Sequence, residues 1–447
     1  MFARRISRRE MLKLMGVGAA GAALAACAVP AAPAGGGAAP AAAPAGIKLS
    51  YWGHGYVGRE TVVDAVVKDF IAENPGAEIT LDSIPFADFE TKLATAFAAN
   101  TQPDILSVGD WTIPAYVEKN LLVPLDPAAW GKTSEQEIID LFEPNTMEGL
   151  RYKGRLYGYP MEVSVHTPAF KIDHFVELGI DPQAPPDTYE SWVEWGLKAI
   201  RFDDQGHMTR QWFEWYYGNP SYLFQIWGPT FLGLGGSFDL EKPESKLESD
   251  AGIKALQFFA DTIHKWKITD PGFESPDQRG NFVAGRETYA WHNLPGSRWI
   301  STNFEKMVYG VDWGLQPMFK WADGERRNVY YSWGFVVTAK AADKANAWKF
   351  IEFMTRAPER TIQWADVAGL IQPRKGWTTF DKIKDIPFVE HFNKEFAHSV
   401  TMPLTPKYNE IAKELEKQMG RLIAAPPDPV EAVAADFDKA VADILAS

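Results

Sequence analysis

Cysteine is nearly missing: the 447-residue chain contains one, Cys27, so no intrachain disulfide can staple the fold. Basic charge is scarce too. Against 58 Asp and Glu stand 45 Lys and Arg, a formal charge of −13, and such an acidic body repels phosphate backbones, which excludes nucleic acid as a partner. The 8 histidines (His54, His166, His174, His207, His264, His292, His391 and His398) show no His-Glu-x-x-His or other ligand spacing, so neither a metal site nor any other cofactor is expected. A Gly-x-Ser-x-Gly elbow is also lacking, and with it the usual argument for a serine nucleophile. The chain is not expected to be an enzyme.

Long apolar runs are few. The run over residues 11–26 follows Arg4, Arg5, Arg8 and Arg9, contains Lys13, and is too short and too rich in Gly and Ala for a comfortable membrane span. Residues 1–26 are expected to be an export signal. Ser7-Arg8-Arg9-Glu10-Met11-Leu12-Lys13 resembles a twin-arginine signal, with Met11 where that pattern usually has Phe. Leu24-Ala25-Ala26-Cys27 resembles a bacterial lipobox, which implies lipidation of Cys27. Residues 27–46 are almost wholly Ala, Pro and Gly, a composition that cannot bury a core and serves as a tether. The Gly16-Val17-Gly18-Ala19-Ala20-Gly21 stretch matches a dinucleotide fingerprint in letters alone, because no strand precedes it.

From Ile47 the patterning becomes that of a folded α/β body long enough for two domains. Ile47, Leu49 and Tyr51 alternate with polar residues and predict a strand. Val63, Val66, Val67, Phe70 and Ile71 recur at helical spacing and stop at Asn74-Pro75-Gly76. A strand around Ile79 and Leu81, a helix through Phe89, Leu93 and Phe97, and a strand over residues 105–108 complete a βαβαβ unit, which predicts a parallel sheet. Ligands of such sheets bind beyond the carboxyl ends of the strands, here Trp52-Gly53-His54 and Gly109-Asp110-Trp111. Farther along, apolar stripes through Ile253–Ile263, Ala347–Met354 and Val430–Ile444 predict helices packed on a core. Gly233-Leu234-Gly235-Gly236 reads as a turn.

Tryptophan is what the chain has in excess, with 17 against 15 Tyr, and the run Trp212-Phe213-Glu214-Trp215-Tyr216-Tyr217 leads on to Tyr222, Phe224 and Trp227. Indoles and phenols each carry a group that needs a hydrogen bond, whereas a core is filled more simply by Leu, Ile and Val. Sugars suit such rings, since their C–H faces stack and their hydroxyls pair with acids and amides.

Several stretches in order carry a more specific likeness. They are Phe70-Ile71-Ala72-Glu73-Asn74-Pro75, Lys92-Leu93-Ala94-Thr95-Ala96-Phe97, Gln102-Pro103-Asp104-Ile105, Leu121-Leu122-Val123-Pro124-Leu125-Asp126, Tyr152-Lys153-Gly154-Arg155-Leu156-Tyr157-Gly158-Tyr159-Pro160, Leu178-Gly179-Ile180-Asp181-Pro182 and Gly296-Ser297-Arg298-Trp299. From residue 47 on, the chain resembles the extracellular solute-binding proteins of the maltose-binding type, receptors of ATP-driven sugar importers. That resemblance implies two α/β lobes joined by a hinge, each discontinuous: residues 47–157 with 288–337, and 158–287 with 338–447. It further implies a mono- or oligosaccharide in the cleft, permease subunits as membrane partners, a monomer, and a place on the outer face of the cell membrane, at the cell surface or in the periplasm. Trp52, Trp227, Trp291, Trp299 and Trp333 are expected to stack on sugar, Asp110 and Glu162 to accept from hydroxyls, and His54, Ser164 and Asn293 to orient them, with Trp111 beside Asp110. Ala169-Phe170-Lys171-Ile172-Asp173 departs from the family's aromatic pair, and Trp291 replaces a frequent Met, so ligand identity does not carry over. A polyamine, peptide or anion in the same cleft, or a secreted glycoside hydrolase working through paired carboxylates, are the alternatives.

Overall fold

The computed structural model describes residues 46–216, 220–273 and 279–447; the export signal, Cys27 and all but the last residue of the tether lie outside them. The βαβαβ unit forms as the patterning predicts. β1 (Lys48–His54) turns Leu49 and Tyr51 into the core. α1 (Val57–Glu73) buries Val62, Val66 and Phe70 over it and ends at Asn74. β2 (Glu78–Ile84) follows, and α2 (Phe86–Ala99) buries Phe89 and Leu93 before closing on Asn100 in the left-handed conformation, φ 55°. β3 (Ile105–Gly109) is buried along its whole length. β1 pairs in parallel with both β2 and β3, since helical crossovers return the chain to the same end of the sheet. Asp104, just before β3, ties the strands: its carboxylate accepts from Ser50 N at 2.9 Å and Ser50 Oγ at 2.7 Å.

β4 (Gly158–Val165) is buried throughout and, past His166, continues as β5 (Thr167–Lys171). α3 (Tyr189–Ala199) opens on a capping box in which Thr188 and Ser191 satisfy each other's backbone N–H. α4 (Pro220–Ile226) and α5 (Asp250–His264) come next, then β6 (Tyr289–His292) runs directly into α6 (Leu294–Asn303). β7 (Trp313–Leu315), β8 (Asn328–Val337), α7 (Lys344–Thr355), β9 (Ser399–Thr401), α8 (Tyr408–Ile423) and α9 (Val430–Ala446) complete the chain.

The ten-residue β8 organises the main sheet, whose order is β9-β8-β3-β1-β2 with β4 also paired to β8. A second, antiparallel sheet has the order β6-β5-β7. Two cores result, which makes this a two-lobed α/β protein. One joins residues 49–161 to residues 333–370. The other, rich in Trp and Phe, joins residues 170–329 to residues 402–441 and includes Trp192, Trp212, Trp215, Trp227 and Trp291. A smaller cluster through Val163, Val165, Leu294 and Tyr330 lies where β4 and β8 pass from one to the other. α7, expected in the second lobe, packs in the first core through Phe350 and Ile351, while Tyr289 and Trp291, expected in the first, pack in the second. The apolar stripes were legible locally, but which core a stripe meets depends on the return of the chain. Among the described residues no helix is long and apolar enough to cross a membrane.

Candidate binding site

A cavity of about 630 Å³ opens where the carboxyl end of β1 and the loop after β3 face α4 and α6, well within the range of small-molecule sites, about 300–1,000 Å³. Its floor is written in the register of two strands. In the β4/β8 pair, Glu162 stands opposite Trp333 and Ser164 opposite Tyr331. Directly opposed residues share a face, and the period of two keeps all four on it. Glu162, Tyr331 and Trp333 line the cavity, with Ser164 buried beneath.

Aromatic rings make the walls. Trp111 meets Trp333 edge-on, centroids 5.4 Å apart, and His54 lies 4.0 Å from Trp333. Trp299, on the first turns of α6, leaves 38% of its surface exposed at the rim, and Tyr56, Phe86 and Tyr222 add further faces. The polar groups form a directed relay. Arg279 Nη2 donates to Asn293 Oδ1 at 3.3 Å, and that same oxygen caps α6 by accepting from Gly296 N at 2.9 Å. Asn293 Nδ2 donates to the Tyr331 hydroxyl at 2.8 Å, which donates to Glu162 Oε1 at 3.2 Å. The amide is thereby held in one orientation, and the relay ends on an acceptor.

At the other side, Arg59 Nη1 donates to His54 Nδ1 at 2.7 Å and to the His54 carbonyl at 2.9 Å. With Nδ1 accepting, the ring proton sits on Nε2. Burial, helped by the Arg59 charge, pushes His54 down to about 2, so it is a neutral donor at any working pH. Burial raises the Glu162 carboxyl, and the Arg59 charge partly opposes that rise. The walls can therefore bind one molecule through flat apolar faces, fixed donors and the buried acceptors Glu162 and Gln225 Oε1.

Of the residues expected at the site, His54, Trp111, Glu162, Asn293, Trp299 and Trp333 line the cavity together. The others stand elsewhere, each for a physical reason. Trp52 lies two residues earlier on β1, a step of about 7 Å, and sits under α2, with Lys92 Nζ 4.8 Å from its ring centroid. Asp110 faces away from its neighbour Trp111: it is fully buried, accepts from Ser332 N at 2.9 Å, and is raised to about 7 by desolvation. Gly149 is needed there, since a Cβ at that position stands 2.2 Å from Asp110 Oδ2. Trp227 is core, stacked on Phe231 with its indole N–H donating to Ala255 O at 3.0 Å. Trp291 is core too, its N–H donating to Glu214 O at 2.8 Å. Cys27 lies outside the described residues.

Sequence reasoning missed Arg59, Tyr56, Gln225, Arg279 and Tyr331, all of which line the cavity. Tyr331 stands two residues before Trp333 on the same face of β8, a strand not expected there from the sequence. Arg59 carried no signal, since a basic residue in the first turn of a helix reads as a solvated charge.

The sequence profile of the bacterial extracellular solute-binding proteins matches residues 58–361. A maltotriose-binding protein of Pyrococcus abyssi is 22% identical over 387 residues, spanning 81% of this chain and 75% of the relative. An erythritol/L-threitol-binding protein of Mycolicibacterium smegmatis is 22% identical over 345 residues, spanning 71% and 69%. Among solved structures, the sugar-binding protein MalE of Xanthomonas citri superposes with a TM-score of 0.74 at 18% identity, over 89% of this chain and 97% of that one. The GacH receptor of Streptomyces glaucescens, solved unliganded and with acarbose, gives 0.74 at 16% identity, over 90% and 99%. At these identities the superpositions establish the fold.

Proposed function

The chain belongs to the bacterial extracellular solute-binding proteins, and from that premise we propose that it captures a sugar between its two lobes and delivers it to an ATP-driven membrane importer. One observation carries the reading: a single cavity joins stacking faces (Trp111, Trp299, Trp333, Tyr222) to a hydrogen-bond relay ending on the buried Glu162. A hydroxyl-rich molecule with apolar C–H faces needs both. The named ligands of the relatives, maltotriose and erythritol or threitol, are polyols as well.

The lobes are divided as the cores are, residues 49–161 with 333–370 against residues 170–329 with 402–441. His54 and Trp333 belong to the first, Tyr222 and Gln225 to the second, so a ligand touching all four gains its full contacts only when the lobes are shut. Binding then biases a hinge equilibrium toward the closed form, which the permease subunits read. Cys27 carries the lipid that holds the exported monomer on the outer face of the membrane, with residues 28–46 as leash. Replacing Cys27 by Ala releases the protein from membranes into the soluble fraction on this reading; retention at the membrane refutes the anchor.

Thermal shift and tryptophan emission across a panel of mono- and oligosaccharides test the sugar assignment. At least one sugar raises the melting temperature and changes emission in a saturable way. A panel that shifts neither, while an amine or peptide does, overturns it.

A further inference from the structure

The donor side of the cavity holds a charge that no carboxylate of the described residues meets by a hydrogen bond. Arg59 is 3% exposed, and its hydrogen bonds go to His54 alone, a neutral ring and a carbonyl. Its Nε is buried without a partner; Glu162 acts on its charge through space, but no carboxylate of the described residues hydrogen-bonds to it. A buried guanidinium with no carboxylate in contact is costly, and hydroxyls accepting from it leave the net charge in place. The surroundings of Arg59 add further donors, while Gln225 Oε1 is a buried acceptor on the same cavity. Gly55 and Tyr56, at the amino end of the 17-residue α1, line the same cavity, and Tyr56 in the capping position gives no side-chain hydrogen bond to the first turn. The helix dipole favours negative charge there, part of which Glu60 in the first turn supplies. His54 presents Nε2–H. Among the described residues that line the cavity, the one acid is Glu162, at the end of the relay.

Resting on the sugar reading above, we propose that the captured sugar is acidic: a carboxylate or phosphate pairs with Arg59 at the amino end of α1, while its hydroxyls meet Glu162, Asn293 and Tyr331. Arginine's planar fork suits either oxyanion in a bidentate pair, and the cavity has a donor pole for the acid and an acceptor pole for the polyol. Glu162 also keeps a bare inorganic anion from satisfying the site, because its relay then goes unused.

Calorimetric titration of the full soluble body with matched pairs at fixed ionic strength tests this: glucose with glucuronate, galactose with galacturonate, lactose with lactobionate, and glucose with glucose 6-phosphate. In at least one pair the acidic member binds tenfold or more tightly than the neutral one, and the carboxylate and phosphate arms tell the two acids apart. The preference falls to threefold or less in Arg59→Gln and is partly kept in Arg59→Lys. Neutral members binding as well as or better than the acids overturns the inference and leaves the sugar reading standing. No binding in any pair overturns both, and inorganic phosphate binding as tightly as the sugar phosphate shows that no sugar is read. Should Arg59→Gln fail to fold, the wild-type pairs decide alone, because the comparison within a pair needs no variant.

Discussion

Tryptophans of two kinds fill this molecule. In the second core and its neighbours four indole N–H groups are used inside the fold, with Trp215 donating to Thr262, Trp227 to Ala255, Trp291 to Glu214 and Trp321 to Thr230, while those of Trp192 and Trp212 are buried without a partner. At the cavity, Trp111, Trp299 and Trp333 present rings to the opening. The first group packs inside the lobe and the second lines the cavity, although composition counts both alike. The two acids expected to bind sugar divide in the same way. Asp110 spends itself on Ser332 N beneath the sheet, whereas Glu162 lines the cavity at the end of a relay.

The sharpest way to break this division is to cut one tryptophan from the core. Trp227→Ala should cost about 3–5 kcal/mol in denaturant unfolding, as for other large-to-small changes at buried aromatics, with ligand affinity unchanged per folded molecule. A variant as stable as the parent means that Trp227 is not structural.

Next comes the pH dependence of the unliganded protein. Burial holds the Asp110 carboxyl at about 7, above its ordinary 3.8. The folded state therefore keeps a proton that the unfolded chain releases. Its contribution to stability is complete below the ordinary value and is lost as pH rises through about 7. Asp110→Asn should remove roughly 2–4 kcal/mol of stability loss between pH 4 and pH 8, measured by urea unfolding at each pH. An unchanged slope assigns the effect to other buried acids, among them Glu214, also raised to about 7.

Glu162→Gln sharpens the other side of the comparison. The affinity of the sugar found in the panel should fall roughly 10- to 100-fold, the range for losing a charge-assisted hydrogen bond. Stability should hold or rise slightly, because the neutral amide is cheaper to bury. The smallest effect is expected at the rim: Trp299→Ala should weaken binding about tenfold by loss of a stacking face. Its unfolding free energy should stay within about 0.5 kcal/mol, as for other exposed positions. If Trp299→Ala lowers stability as much as Trp227→Ala does, the two populations are one.

Much of this could be seen before any coordinates. The βαβαβ unit followed from period-two and helical spacing between Ile47 and Val108, and the stripes of α5, α7 and α9 lie where their apolar residues recur. His54 and Trp111 were legible because ligands collect at the carboxyl ends of parallel strands, a rule that needs only the element order. Trp52 shows its limit, since the rule names an end of a strand without saying where that end falls. Trp227 and Trp291 were overread, because an aromatic run gives no sign of which partner each N–H finds.

The amino-acid sequence alone determined the elements, their α/β order, the acidic body, the family likeness and the exported character expected of the first 46 residues. These depend on periodicity, composition and short motifs, which are local. Only the tertiary structure decided that Asp110 turns under the sheet while Trp111 turns over it. It alone brought α7 back to the first core and set the buried Arg59, whose hydrogen bonds go to His54, on the same cavity as Glu162. Burial and distance between residues a hundred positions apart arise from packing, and packing sets which polar groups the fold satisfies and which it leaves for a ligand.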